Sequence, residues 1–213
     1  MHSLFVHIPK WFQKLFSEVT WSIDTEKKEL FLTFDDGPTP EITDWVLDQL
    51  AMYNAKATFF CIGKNIQAHP ELFEKIIAAG HHIGNHTFNH LNGWKVSAQN
   101  YLNSIEKTQR LITTYKLPNK TPIFRPPYGK ISPFQIRKLN RLNYQIVLWN
   151  VLSGDFDKKI LPKTCTKNVL NYSGKGSIIV FHDSLKAAKN MKASLPKVLA
   201  HFSQKGYTFS GIL

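Results

Sequence analysis

From Glu29 onward the chain alternates short apolar runs with longer stretches in which apolar side chains recur every three or four positions. The runs Leu30–Phe34, Ala57–Cys61, His82–Gly84, Ile123–Arg125, Gln145–Trp149, Ser177–Phe181 and Tyr207–Ser210 read as strands. Helical periodicity fills Glu41–Met52, Pro70–Ala79, Val96–Tyr115, Ser132–Leu142, Lys163–Tyr172 and Leu185–Gln204, with Gly80 and Gly206 placed as helix stops. Strand and helix in regular alternation predict a parallel sheet with helices outside it. Seven strands in about 185 residues suit a distorted, incomplete (β/α) barrel of α/β class better than an open doubly wound sheet. Residues 29–213 are expected to form one domain. Ahead of it, within residues 1–28, Pro9–Val19 set Lys10, Lys14 and Glu18 among Trp11, Phe12, Leu15 and Phe16. That amphipathic segment is expected to pack on the domain, with peripheral contact to a membrane surface through residues 9–19 as the alternative.

Composition narrows the classes. With 43% apolar residues and 11 each of Gly and Pro among 213, the chain can close a core and is neither disordered nor low-complexity. Its apolar runs, such as Ser177–Phe181, are too short to span a bilayer. The start lacks the apolar core and small-residue cleavage site of a secretory signal, so the expected location is cytoplasmic or peripheral to the membrane. Cys61 and Cys165 are too few for a disulfide framework or a cysteine zinc site and are expected to be structural.

Charge is uneven: residues 1–106 carry 8 basic and 12 acidic groups, residues 107–213 carry 19 and 3. The lysines are scattered and no nucleic-acid-binding motif accompanies them, so a solvated basic surface is expected and no specific nucleic-acid partner. The three acids of the basic half, Asp155, Asp157 and Asp183, all fall near predicted strand ends. No glycine-rich nucleotide fingerprint, phosphate loop or Gly-x-Ser-x-Gly elbow is present.

In parallel α/β folds chemistry gathers at the carboxyl ends of the strands. Those ends hold five polar clusters: Thr33–Pro38, Gly84–His90, Phe124–Gly129, Gly154–Phe156 and Val180–Asp183. His86 and His90 are four apart, the spacing that puts two imidazoles on one side of a helical turn. Thr87 stands where a metalloprotease helix has Glu, which excludes that motif. Asp35 and Asp36 are neighbours on an extended segment and would point to opposite sides, one toward a cation and one toward a bound water. Two His and one carboxylate leave positions open on a hydrolytic metal, although the same set also serves non-haem iron.

Together, Thr33–Pro38, His86–His90, Arg125–Gly129, Asp155 and Val180–His182 resemble, in order, the five motifs of the polysaccharide deacetylases (carbohydrate esterase family 4). The resemblance covers about Glu29–Leu213. It implies a distorted seven-stranded (β/α) barrel that removes acetyl groups from N-acetylated or O-acetylated sugars with a divalent metal, zinc first and cobalt or nickel as alternatives. It implies that Asp36, His86 and His90 bind the metal, that Asp35 is the general base and that His182 is the general acid. Arg125 would orient Asp35, Asp155 would hold His182, and the backbone N–H of Tyr128 would stabilise the oxyanion. The sequence departs from the family in three places. Leu152 stands where an acid is usual, Phe156 replaces a Trp while still able to wall the acetyl pocket, and Val180 replaces a Leu. Trp94, in the loop after His90, is a candidate for stacking on a sugar ring.

The expected function is therefore metal-dependent deacetylation of an N-acetylated glycan by a monomer. Two alternatives remain: an O-acetyl esterase acting on decorated polysaccharide, and a non-catalytic module binding glycan or anionic polymer through the basic half.

Overall fold

The structure, a computed structural model, describes residues 6–115, 117 and 121–212. Eight strands follow one another along the chain: β1 (Glu29–Asp35), β2 (Thr58–Cys61), β3 (His82–Asn85), β4 (Ile123–Phe124), β5 (Gln145–Ile146), β6 (Val151–Leu152), β7 (Ile178–His182) and β8 (Thr208–Phe209). The helices are α1 (Lys10–Leu15), α2 (Ile42–Ala51), α3 (Gly63–Ala68), α4 (Pro70–Ala78), α5 (Ala98–Thr113), α6 (Pro133–Arg141), α7 (Pro162–Tyr172) and α8 (Ala188–Gln204). Seven strands pair in the order β5-β4-β3-β2-β1-β7-β6, all parallel, and β8 adds to the start of β1. The two ends of that path, β5 and β6, are separated in sequence only by Val147–Asn150. The sheet thus curls into a distorted barrel whose edges are consecutive pieces of one segment.

Strand alternation assigns the two faces. Leu30, Leu32 and Phe34 of β1 join Phe59, Cys61, Ile179 and Phe181 in the core beneath the helices. The opposite row begins with Phe31, which packs inside the curl with Phe60, Ile123, Val147, Ile178 and Ile212. Both faces are therefore apolar low in the sheet, as strands of a helix-covered parallel sheet require. Toward the carboxyl end the inner row turns polar: Thr33 and Asp35 follow Phe31, and their register partners on β7 are Val180 and His182.

Two local expectations need correction. Gln145–Trp149 does not run as one strand: β5 stops at Ile146, and β6 begins five residues later. The cause is Arg125, whose guanidinium takes the carbonyl oxygens of Val147 (3.2 Å) and Leu148 (2.9 Å) and so removes them from the ladder. The short helix α3 was not anticipated, because six residues show no readable period. The two cysteines are free and buried.

The N-terminal segment lies across the seam between β5 and β6. His7 bridges Val151, Thr20 bridges Val147 and Ser22 bridges Ser177. Within it α1 buries no residue; Trp11, Leu15 and Phe16 are exposed beside Lys10 and Lys14. Residues 1–5 of this segment lie outside the described residues. Among the described residues no helix is long and apolar enough to cross a membrane.

Candidate active site and metal centre

Three of the five clusters converge through backbone that departs from regular structure at the strand ends. Asp36 (φ 81°), Thr87 (φ 63°), His90 (φ 54°) and Tyr128 (φ 61°) all adopt the left-handed conformation that non-glycine residues rarely take. The sequence expectation for Asp35 and Asp36 rested on extended backbone, and this part is corrected. The carboxylates do separate, but through the left-handed turn at Asp36. Likewise, Gly84–His90 is no helical turn: β3 ends at Asn85 and His86–His90 form a loop. The loop is pinned by Asn85 Oδ1 accepting from Thr87 N–H (3.0 Å), Ser104 Oγ accepting from Phe88 N–H (2.9 Å) and Thr87 Oγ1 accepting from Leu91 N–H (3.0 Å).

That loop brings His86 and His90 together with Asp36. Their ligand atoms lie within 4.8 Å of one another, and the Nε2 atoms of His86 and His90 are 3.8 and 3.2 Å from Asp36 Oδ1. The Nδ1 of His86 meets Arg125 O at 2.8 Å and that of His90 meets the Tyr128 hydroxyl at 3.1 Å. Engaged on that side, both rings present Nε2 to the shared space. Burial drives His86 down to about 4, against the raising influence of Asp35 and Asp36, so at neutral pH it is the uncharged imidazole a metal requires. Burial alone would raise Asp36, but neighbouring His90, His182 and His86 outweigh it and hold the carboxyl far below the usual range. Asp36 Oδ1 is buried without a hydrogen-bond partner. An orphaned carboxylate oxygen facing two oriented imidazoles fits a divalent cation, and Asp36, His86 and His90 are the residues to hold it.

Two further groups flank this cluster, opposite one another on β1 and β7. Asp35 is buried and accepts from Arg125 Nη1 at 2.8 Å. Arg125 is itself fully buried, reaches Thr33 Oγ1 (2.6 Å) with the same nitrogen, and stacks on Phe60 with 4.0 Å to the ring centre. His182 is clamped from the other side: Asp155 Oδ1 faces its Nδ1 at 2.8 Å, and Asp155 Oδ2 accepts from its backbone N–H at 2.8 Å. Burial would lower His182, but Asp155, followed by Asp36 and Asp35, raises it to about 9. Phe156 packs edge-on against His182 with ring centres 5.0 Å apart, and Val180 lies buried in the inner row below it. Trp94 lies on the neighbouring loop, with its ring exposed.

A buried carboxylate paired with a guanidinium, a protonated imidazole and a candidate metal cluster meet at one end of a curled parallel sheet. The family model for polysaccharide deacetylase matches residues 22–147. The chain belongs to the polysaccharide deacetylase family. It is 39% identical over 185 residues to a peptidoglycan-N-acetylglucosamine deacetylase of Bacillus cereus, an alignment covering 86% of this chain; the chain spans 66% of that protein's length. Among solved structures, the Bc1960 peptidoglycan N-acetylglucosamine deacetylase superposes with a TM-score of 0.86 at 35% identity, over 96% of this chain and 95% of that one. The Bacillus anthracis protein BA3943, described as a family 4 pseudoenzyme, superposes with a TM-score of 0.79 at 22% identity, over 90% of this chain and 66% of that one, and shares the fold alone. A fold shared with a pseudoenzyme leaves activity to be argued from side chains.

Three residues that support the family site were missed as such in the sequence. Asp183, noted only as a strand-end acid, is fully buried and accepts from Gly37 N–H (3.0 Å) and Thr43 Oγ1 (2.5 Å), while its own N–H donates to Asp35 O (3.1 Å). It holds the turn that carries both aspartates, and a Cβ on Gly37 would sit 2.0 Å from its carboxylate. Burial, with a smaller push from Asp36, raises Asp183 to about 8, against the opposing hydrogen bond from Thr43. Its signal was scarcity, as one of three acids in the basic half. Asn65 on α3 donates to Asp36 O at 2.7 Å. Asn190 on α8 donates to the carbonyls of Asp155 (3.2 Å), Asp157 (3.3 Å) and Ile160 (3.0 Å), fixing the loop that presents Asp155. Neither asparagine stands out from its helix in sequence.

Proposed function

We propose that this protein is a metal-dependent hydrolase that removes acetyl groups from N-acetylated sugars of a peptidoglycan-like glycan. The observation that carries the proposal is the pairing of Asp35 and His182 beside the Asp36–His86–His90 cluster. Each has its own buried partner, Arg125 for Asp35 and Asp155 for His182. Asp36, His86 and His90 would hold a divalent cation, zinc or else cobalt or nickel, which when bound would supply Lewis acidity to the amide carbonyl and acidity to a water.

The protein's own groups carry the proton transfers. Asp35, oriented by Arg125, takes a proton from the attacking water as the water oxygen bonds to the acetyl carbon. The backbone N–H of Tyr128 donates to the carbonyl oxygen as negative charge builds there, a contribution of about 3 kcal/mol for one such donor. His182 then gives its Nε2 proton to the sugar nitrogen as the C–N bond breaks, leaving acetate and a free amine. Phe156 and Val180 wall the acetyl methyl. A non-catalytic binding module has no use for a carboxylate and an imidazole each fixed by a buried partner beside a metal cluster, which favours the enzyme over that alternative.

The test is acetate release from chitooligosaccharides and peptidoglycan by protein dialysed against a chelator and then reloaded with zinc or cobalt. Activity that vanishes on dialysis and returns on reloading is expected, and His86→Ala should neither bind metal stoichiometrically nor respond to it. Turnover by metal-free protein, or none by the loaded protein on any acetylated glycan, overturns the reading. An O-acetyl esterase would instead act on acetate esters and lose little on His182→Ala, because an alkoxide leaves without prior protonation more readily than an amine.

The acid assignment also has a pH signature. His182 must carry its proton, so kcat/KM should fall as pH rises through about 9, the value to which Asp155 holds it. In Asp155→Asn the largest raising charge is gone, and burial lowers the imidazole against Asp36 and Asp35 alone. The alkaline limb should then move down from about 9 toward the ordinary histidine value of 6.5. A limb that stays in place in this variant, at unchanged metal content, removes His182 as the acid.

A further inference from the structure

The loops that carry His90 and Tyr128 stay in contact beyond those two residues. Tyr128 packs edge-on against His90 with ring centres 4.6 Å apart. Four residues beyond His90 the next contact joins the same two loops: Trp94 Nε1–H donates to Ile131 O at 3.1 Å. The Lys130 ammonium lies over the Trp94 ring, 5.2 Å from its centre. Trp94 is nevertheless 66% exposed, and Tyr128 is 60% exposed. The exposed indole is firmly held. Asn92 Oδ1 accepts from Trp94 N–H (3.0 Å), and Gln135 Nε2 donates to Gly93 O (2.9 Å). Gly93 is itself wedged so closely that a Cβ there would meet Lys130 O at 2.6 Å.

A large aromatic face turned to water, with its only polar hydrogen already bonded and its backbone pinned, is a preorganised surface for a flat apolar partner. At a glycan-processing site that partner is the C–H face of a pyranose ring. The acetylated sugar must place its acetamide at the metal cluster, so the ring on Trp94 belongs to the neighbouring sugar of a chain. The ammonium over one side of the indole adds a second requirement, an anionic substituent on that neighbour placed to meet it.

The geometry points to a subsite formed by Trp94 and Lys130 that binds a carboxylate-bearing sugar adjacent to the one being deacetylated, making this an enzyme for acidic N-acetylated oligosaccharides rather than single sugars. This rests on the deacetylase reading above and adds a substrate class to it. Neither residue belongs to the five family motifs.

The experiment compares wild type with Trp94→Ala, Trp94→Phe and Lys130→Gln. Substrates are neutral chitotetraose and a peptidoglycan tetrasaccharide carrying carboxylates, with KM and kcat from acetate release and binding by calorimetry on the metal-loaded protein. Trp94→Ala should raise KM for both tetrasaccharides about 10-fold at unchanged kcat, the effect of losing one stacked ring, and Trp94→Phe should recover most of it. Lys130→Gln should raise KM only for the carboxylated substrate and remove the salt dependence of its binding. Changes below 2-fold in Trp94→Ala, or a Lys130→Gln effect equal on both substrates, overturn the subsite. A wild type that releases no acetate fails the deacetylase reading instead, and calorimetry on the same variants then still reads the Trp94 subsite by itself.

Discussion

Asp35→Asn is expected to lower acetate release by about 10²–10⁴-fold while leaving the metal content at the wild-type level. The substitution keeps the shape and an oxygen facing Arg125 Nη1, 2.8 Å away in the wild type, but removes the charge that accepts the proton of the attacking water. None of the three candidate metal ligands depends on that charge: Asp36 is held through its backbone by Asn65, His86 by Arg125 O and His90 by Tyr128. Metal analysis and thermal unfolding belong beside the rate measurement, because the variant leaves the buried guanidinium of Arg125 without its anion. Residual activity above a tenth of wild type, at full metal occupancy, would mean that another group takes the proton.

Arg125→Met is expected to be the most destabilising single change in the site. Arg125 ties three parts of the barrel end together: Asp35 and Thr33 of β1, the carbonyls of Val147 and Leu148 at the seam, and the ring of Phe60 on β2. Removing one partner of a buried ion pair costs about 3–5 kcal/mol, because the remaining charge stays buried and unpaired. For a chain of this size that corresponds to a fall in Tm of roughly 10 °C or more, alongside loss of activity through Asp35. The double variant Arg125→Met, Asp35→Asn separates the two contributions: it should regain stability relative to Arg125→Met and regain no activity. A wild-type Tm in the single variant would reduce Arg125 to an orienting contact and leave the break between β5 and β6 without a cause.

Arg125 also marks where sequence reading stopped. Its role toward Asp35 was implied by the resemblance, but the splitting of the fifth strand was not, because it depends on which carbonyls a guanidinium reaches after folding. His86 and His90 show the same division. Their spacing identified them as a pair, yet the expected helical turn is a loop with left-handed residues at Thr87 and His90. A four-residue spacing fixes how many bonds separate two imidazoles, and several backbone paths of that length meet the need.

By itself the sequence determined the strand–helix alternation apart from α3 and the split between β5 and β6, the curled parallel sheet and the side chains available at its carboxyl edge. Those properties follow from local periodicity and from the rule that parallel strands expose their chemistry at one end. Only the tertiary structure decided how the edge is wired. Asp183 under the Gly37 turn, Asn65 from α3, Asn190 from α8 and the pairing of Trp94 with Lys130 all join residues far apart in sequence. Such contacts are set by how helices and loops pack around the barrel mouth, and no periodic pattern along a chain records that distance in space.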